Sequence, residues 1–147
     1  MRKAIFTLLF MMSSPFIFAQ EQDPVHWQFK AEKIKDNIYE LHFTAYVNPP
    51  YHIYSQDNSS DMAIPTTLEF SRNPLIELNG KPKETGELET ESISGATLKY
   101  YENRVEFVQT IKLKAAVKVS ISGKINYMAC TDGHCLPPTE HRFAFSL

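Results

Sequence analysis

Two cysteines, Cys130 and Cys135, are the only ones in this chain of 147 residues, and four residues separate them. Thiols this close together can form a disulfide, bind a metal as thiolates, or exchange with the disulfides of other molecules. Their neighbours act on a thiolate in opposite directions, because Asp132 opposes its charge whereas His134 favours it when protonated. The residue types therefore point to sulfur chemistry, and the spacing by itself leaves all three possibilities open.

The start of the chain indicates the compartment in which these cysteines work. Met1-Arg2-Lys3 is basic, residues 4–18 are mostly apolar, and Ala19 is a small residue at a suitable cleavage position. The apolar run is shorter than the roughly 20 residues of a membrane-spanning helix. We predict a signal peptide over residues 1–19 and one domain over residues 20–147. The protein is then exported to the periplasm or to the outside of the cell, an oxidising environment in which the two cysteines are expected to pair with each other.

This disulfide would be a weak structural staple. It closes a loop of six residues, for which the chain-entropy relation gives only about 2 kcal/mol of stabilisation. A mature domain of 147 − 19 = 128 residues can bury an adequate hydrophobic core without such help. The bridge is therefore not obviously needed for folding.

Composition and missing motifs exclude several other classes of function. The chain is 43% hydrophobic and 22% charged with a formal net charge of −2, which is typical of one soluble domain. No block of like charges indicates binding to nucleic acid or to an anionic membrane surface. The sequence also lacks the G-x-S-x-G, H-E-x-x-H, P-loop and C-x-x-C-H motifs, so hydrolase, protease, nucleotide and covalent haem functions have no support.

The secondary-structure pattern has a period of two, which is typical of half-buried strands. Apolar and polar residues alternate along residues 39–47, 105–113 and 117–127. Shorter strands are predicted at residues 26–31, 52–55, 67–70, 75–78 and 142–147. Prolines and glycines separate these segments, and no helical stripe of apolar residues extends beyond about ten positions. The sequence therefore predicts an all-β sandwich of about seven to nine strands.

Three smaller expectations concern the surroundings of the cysteines. The long strand of residues 117–127 is expected to continue to Cys130, and Gly133 is expected to take a left-handed conformation in a hairpin loop. Pro137-Pro138 lacks backbone N–H donors and should leave the sheet edge beside Cys135 open. An open edge makes a sulfur accessible, as disulfide exchange requires.

Other polar residues are interpreted structurally. The alternating glutamates of residues 87–91 are expected on the solvated side of an edge strand, where charge resists aggregation. His26, His42 and His52 are scattered along the chain and are interpreted as ordinary strand residues.

The cysteine segment resembles that of the N-terminal domain of the thiol:disulfide interchange protein DsbD. The match is densest over Cys130, the short glycine-containing loop, Cys135 and the following Leu136–Glu140, and it is weaker over Val47–Tyr54 and Tyr101–Val105. It extends over most of the chain that follows the predicted signal peptide. The resemblance implies an immunoglobulin-like β-sandwich in the periplasm.

The resemblance also implies a catalytic role for both cysteines. Cys135 corresponds to the sulfur that forms mixed disulfides with partners, and Cys130 to the one that closes the intramolecular disulfide. Electrons would pass from a thioredoxin-like donor, acting in trans, to oxidised periplasmic thiol proteins such as disulfide isomerases and cytochrome c maturation thioredoxins. The implied activity is that of a protein-disulfide reductase. It needs no metal or organic cofactor, and a monomer is expected.

Two features depart from the family pattern. The cysteine loop holds four residues where a member of the family holds one more. Residues 89–101 correspond to a loop that caps the disulfide in the family, and they show no residue-level match to it. Ile93, Leu98 and Tyr100 are the side chains available there as a cover.

Two alternative functions stay open at this point. One is a zinc or copper site formed by Cys130, His134, Cys135 and His141. This spacing is not that of a standard zinc site, and a disulfide would remove both thiolates. The other is an exported binding or interaction module of immunoglobulin type whose disulfide is purely structural. Titration of free thiols would distinguish both from thiol–disulfide exchange.

Overall fold

The computed structural model describes residues 23–58 and 63–147, and in these residues the chain forms nine β-strands and no helix. The strands are β1 (Val25–Lys35), β2 (Ile38–Val47), β3 (His52–Tyr54), β4 (Thr67–Phe70), β5 (Ile76–Ile93), β6 (Ala96–Leu113), β7 (Ser120–Tyr127), β8 (Ala129–Cys130) and β9 (Thr139–Ser146). The predicted all-β class is confirmed. The predicted signal peptide of residues 1–19 lies outside the described residues.

The larger of two sheets is built around β6. Strand β5 pairs along most of its length and occupies one edge of β6. Strands β2 and β3 lie end to end on the other edge, because they pair with residues 104–112 and 100–102 of β6. Strand β1 lies outside β2, and the two-residue β8 lies outside β3. The β3–β8 pair therefore forms a small extension at one end of the sheet.

The smaller sheet has the order β4-β7-β9, and its buried side chains pack against those of the larger sheet. Over much of β2, β6 and β7, every second residue enters this core, as the period of two predicts. Leu41, Phe43 and Ala45 of β2 are fully buried, and so are Val105 and Phe107 of β6. The predicted sandwich is confirmed, and its strand number agrees with the expected seven to nine.

The strand predicted over residues 117–127, with its expected continuation to Cys130, differs from the observed β7 at both ends. Val117 is 50% exposed, and β7 begins only at Ser120. The strand also ends at Tyr127, so the expected continuation to Cys130 is wrong. At Met128 the chain passes from the smaller sheet to the larger one, where Ala129 pairs with Ile53. The alternation of core-facing and outward-facing side chains continues through this change of sheet. It depends on which side chains face the core, and not on which sheet supplies the backbone hydrogen bonds.

Strands β5 and β6 form a hairpin of two 18-residue strands, much longer than the predicted segments at 75–78 and 105–113. Beyond Ile76, most of β5 is exposed on both faces, so hydrophobic alternation could not reveal it. The hairpin turns at Ser94 and Gly95, which both have positive φ (51° and 85°), the combination required by a type I′ turn. Within the described residues, β5 pairs with β6 alone, which confirms the glutamates of residues 87–91 on an edge strand.

Candidate functional site

The cysteines lie on the outer face of the larger sheet, at the β3–β8 extension. Ile53 and Ala129 belong to the core between the sheets, so the alternating neighbours in both strands face the opposite side. There Cys130 joins a second, smaller buried cluster that includes Tyr54 and Leu98. The site is therefore separated from the main core by the thickness of the sheet.

Cys130 and Cys135 form a disulfide, with their Cα atoms 4.0 Å apart. The two residues differ sharply in exposure: Cys130 is only 1% exposed, whereas Cys135 is an exposed residue. Cys130 is held in strand β8 beside β3, and Cys135 meets it through an isolated antiparallel bridge. One sulfur is thus fixed in the sheet while the other lies on a surface loop.

Thr131 organises the loop between the cysteines. Its backbone N–H donates to the carbonyl oxygen of His134 at 2.8 Å, and its hydroxyl oxygen accepts from the N–H groups of Gly133 and His134, each at 3.3 Å. Gly133 has no positive φ, so its expected left-handed conformation is wrong. The side-chain hydroxyl of Thr131 closes the turn by accepting these hydrogen bonds, so no residue of the turn needs a positive φ.

The chain leaves the larger sheet immediately after the cysteine loop. The N–H of Leu136 donates to the carbonyl oxygen of Ala129 at 2.9 Å, and the next two residues, Pro137 and Pro138, are exposed. Strand β9 then begins in the smaller sheet. The prediction that the prolines leave the edge beside Cys135 open is confirmed, because no further strand covers it among the described residues.

A groove of about 310 Å³ lies beside the disulfide. Cys135 and the rest of the cysteine loop form one wall, and the tip of the β5–β6 hairpin forms the other with Ile93, Leu98 and Tyr100. These are the three side chains of residues 89–101 that the sequence offered as a cover. The structure places all of them at the groove, although no residue-level motif marks the segment.

His52 is the residue at this groove whose position the sequence interpretation missed. It is 8% exposed and lines the groove together with Cys135. Its ring centroid lies 4.5 Å from that of Tyr100 and 5.4 Å from that of Tyr54. Burial lowers the pKa of His52, and the negative charges of nearby carboxylates only partly offset this effect. Its place within the Val47–Tyr54 segment of the family resemblance was the available signal.

The residues of the alternative metal site are not brought together as ligands. Cys130 and Cys135 are bonded to each other, and the ring of His141 lies on β9 at 5.7 Å from that of Phe29. The side chain of His134 instead meets the Thr131 hydroxyl, with Nδ1 at 3.2 Å from Oγ1. In residues 23–58 and 63–147, no three His, Cys, Asp or Glu side chains are grouped as a metal site would require.

The fold and the site together define an immunoglobulin-like β-sandwich that carries one disulfide at the edge of a surface groove. Residues 19–147 match the family described as thiol:disulfide interchange protein DsbD, N-terminal, and the chain belongs to this family. Thiol–disulfide interchange is therefore the chemistry of its family. No curated protein matches the sequence.

Similar solved structures with a TM-score of 0.50 or more support the fold. The N-terminal periplasmic domain of ScsB from Proteus mirabilis aligns with a TM-score of 0.60 at 11% identity, covering 84% of this chain and 46% of that one. The complex between the DsbD and PilB N-terminal domains of Neisseria meningitidis aligns with a TM-score of 0.50 at 16% identity, covering 80% of each chain. The reduced DsbD N-terminal domain from the same organism aligns with a TM-score of 0.49 at 16% identity, covering 82% of this chain and 84% of that one. This chain thus spans less than half of the ScsB structure.

Across the part of the chain that the structure describes, there is no helix with the length and apolar character needed to cross a bilayer.

Proposed function

We propose that this protein is a periplasmic thiol–disulfide exchange domain that passes reducing equivalents from a thioredoxin-like donor to oxidised periplasmic proteins. Cys135 is the sulfur that meets partners, and Cys130 is the resolving cysteine. The observation that carries this assignment is the contrast in exposure between the buried Cys130 and the exposed Cys135 beside a groove. Exchange requires access to the attacked sulfur, and access is available at Cys135.

The exchange has two steps that balance in electrons. In the first, the Cys135 thiolate of the reduced domain attacks a partner disulfide, forming a mixed disulfide and releasing one partner thiolate. In the second, the Cys130 thiolate attacks the Cys135 sulfur, closes the intramolecular disulfide and releases the second partner thiolate. The partner gains two electrons and the domain loses two. A donor dithiol then attacks the Cys135 sulfur and restores the reduced domain.

The comparisons support protein partners of this kind. In the solved complex, the DsbD N-terminal domain of Neisseria meningitidis binds the N-terminal domain of PilB, and the ScsB domain is periplasmic. For this chain we infer export through the predicted signal peptide, a donor acting in trans, and acceptors that include the thiol proteins of cytochrome c maturation. The reaction needs only the two sulfurs and proton transfer.

The reduction potential of the Cys130/Cys135 pair tests the proposal. The purified protein is equilibrated in graded thiol redox buffers, and alkylated cysteines are counted by mass spectrometry. We expect a value between about −180 and −270 mV, the range of proteins that exchange disulfides. A value below about −300 mV, with no reduction by a thioredoxin-like protein, would instead favour the immunoglobulin-type binding module with a structural disulfide.

Trapping of mixed disulfides tests the roles of the individual cysteines. The Cys130→Ala variant keeps the exposed sulfur and should accumulate a covalent complex with an oxidised partner, because nothing resolves it. The matched Cys135→Ala variant keeps only the buried sulfur and should trap little. Equal trapping by the two variants, seen on non-reducing gels, would reject the assignment of Cys135 as the partner-facing residue.

A further inference from the structure

The groove contains a histidine directly opposite the resolving cysteine. His52 of β3 pairs with Cys130 of β8 in the antiparallel register, and directly opposed side chains share one face with Cβ atoms about 4.5–5.5 Å apart. His52 also lines the groove with Cys135. One imidazole therefore lies beside both partners of the disulfide.

The surroundings of Cys130 create a need for a proton acceptor. Cys130 is 1% exposed and packs in a cluster with Tyr54, Leu98 and Met128. Apolar surroundings raise the pKa of a thiol, and only the thiolate attacks a disulfide. When Cys130 resolves a mixed disulfide, its proton must pass to a group within the site.

The other histidine at the groove, His134, is exposed and lies in the cysteine loop with Nδ1 3.2 Å from Thr131 Oγ1, whereas His52 pairs directly with Cys130. The imidazole of His52 is therefore the base best placed for the Cys130 thiol.

The other ionisable groups around His52 also leave its imidazole as the suitable base. The pKa values of Tyr54 and Tyr100 are raised, chiefly by burial, so both phenols stay protonated at neutral pH. The carboxylates are Glu91 of β5, Glu102 of β6 and Asp132 of the cysteine loop, all of which are exposed. A carboxylate is intrinsically a much weaker base than an imidazole.

The charge state of His52 suits this task. Burial lowers its pKa, and the negative charges of Glu102, Asp132 and Glu91 raise it by less. The imidazole is therefore neutral at pH 7 and has a lone pair available to accept a proton. The three carboxylates would stabilise the imidazolium once it has formed.

We propose that His52 accepts the proton of the Cys130 thiol when Cys130 resolves the mixed disulfide on Cys135. The proton moves from Cys130 Sγ to an imidazole nitrogen, the Cys130–Cys135 bond forms, and the bond between Cys135 and the partner sulfur breaks. The partner leaves as a thiolate, which takes the proton from the imidazolium or from water. This inference rests on the proposed function, and it adds a proton acceptor for its second step.

A two-phase assay separates the two steps. The reduced protein is mixed in a stopped-flow instrument with excess dithiobis-nitrobenzoate, whose coloured thiolate is released once on attack by Cys135 and once on resolution by Cys130. We compare the wild type with His52→Phe, which keeps an aromatic ring against Tyr100, and with His52→Gln. The control is His42→Gln, which removes another partly buried strand histidine from the same face of the sheet, away from the groove.

At pH 7 we expect both His52 variants to slow the second release by about a hundredfold or more, as loss of a general base does. The first release should change far less than the second, because the exposed Cys135 exchanges its proton with solvent, and its persistence shows that the variants remain folded around Cys135. In the wild type the second phase should slow at pH values below the ordinary histidine value of about 6.5, because the lowered pKa of His52 places its protonation there. In the variants its rate should rise continuously with pH and approach the wild type at alkaline pH, where Cys130 ionises without help. A purely structural role of His52 would not produce this convergence.

Equal rates and equal pH profiles of the second phase in wild type, His52→Phe and His52→Gln would overturn the inference. Slowing by His42→Gln to the same extent would also overturn it. Failure of the proposed function gives a different result. If Cys130→Ala is unreactive in the first phase while Cys135→Ala reacts rapidly, the assignment of the two cysteines is wrong, whatever the His52 variants show.

Discussion

The two cysteines differ in solvent exposure because different individual residues surround them. Strand β3 and the side chains of Tyr54 and Leu98 enclose Cys130, whereas the turn organised by Thr131 carries Cys135 into solvent. The asymmetry on which the proposed exchange depends is therefore a local property of the sheet edge and of one six-residue loop.

The substitution of Gly133 tests whether the Thr131 hydroxyl, and not a glycine, shapes the cysteine loop, with Gly123 of β7 as the contrast. Gly133 has no positive φ, and a Cβ there would meet no atom within 4 Å, so we expect Gly133→Ala to change the free energy of unfolding by less than about 0.5 kcal/mol. A Cβ at Gly123 of β7 would collide with the carbonyl oxygen of Glu69 and the ring of Phe143. Gly123→Ala should therefore cost about 1–3 kcal/mol. Urea unfolding of both variants measures this, and a large loss for Gly133→Ala would contradict the observed turn.

At the scale of elements, the β5–β6 hairpin both extends the sheet and forms a wall of the site. Much of β5 is exposed. Leu98 of β6, near the tip of the hairpin, is only 5% exposed and packs in the same cluster as Cys130. The hairpin thus covers the resolving cysteine while leaving the groove open at Cys135.

Truncation of Leu98 tests the contact between the hairpin and the cysteine. We expect Leu98→Ala to lower the free energy of unfolding by about 2 kcal/mol, because it leaves a cavity in a buried cluster. The disulfide should also be reduced faster by dithiothreitol, since its cover is loosened. Leu88→Ala is the matched control, because Leu88 lies in the same hairpin and is 46% exposed; it should change stability by less than about 0.5 kcal/mol. Equal effects of the two variants would contradict the packing of the hairpin tip on Cys130.

At the scale of the whole molecule, the disulfide lies outside the main core. The core between the sheets contains neither cysteine, and the bridge joins residues only five positions apart. We expect the reduced protein to stay folded and to lose about 2 kcal/mol of unfolding free energy, the value for a six-residue loop. Urea unfolding with and without dithiothreitol, followed by circular dichroism, measures the difference. Unfolding on reduction alone would mark the bridge as structurally essential and weaken the exchange proposal.

The buried His52 also makes global stability depend on pH. Its pKa in the folded protein lies below the ordinary value of 6.5, so the unfolded chain binds the proton more readily than the folded chain. The contribution is fully present above the unfolded value of about 6.5 and is lost as the pH falls from there through the lower pKa of the folded protein. The wild-type free energy of unfolding should fall as the pH is lowered below about 6.5, and His52→Phe should lose less over the same interval. Identical changes in the two proteins would show that His52 is not the group responsible.

The β-sandwich and the family of the chain follow from local patterns in the sequence. Alternation along β2 and β6 reports burial of one face, which depends only on the two-residue repeat of a strand. The cysteine pair and the Leu136–Glu140 segment that follows it were sufficient to identify the family. These features are local, and local patterns can be recognised without knowing which strands are neighbours.

The set of residues around the two sulfurs depends instead on contacts made in the folded chain. The switch between sheets at Met128, the exposed length of β5 and the pairing of His52 with Cys130 depend on contacts between distant segments. No periodicity in one segment reveals its partner across a sheet. His52 lies 78 positions before Cys130 in the chain, 130 − 52 = 78, and becomes its neighbour because β3 and β8 pair through backbone hydrogen bonds, which carry little information about side-chain identity.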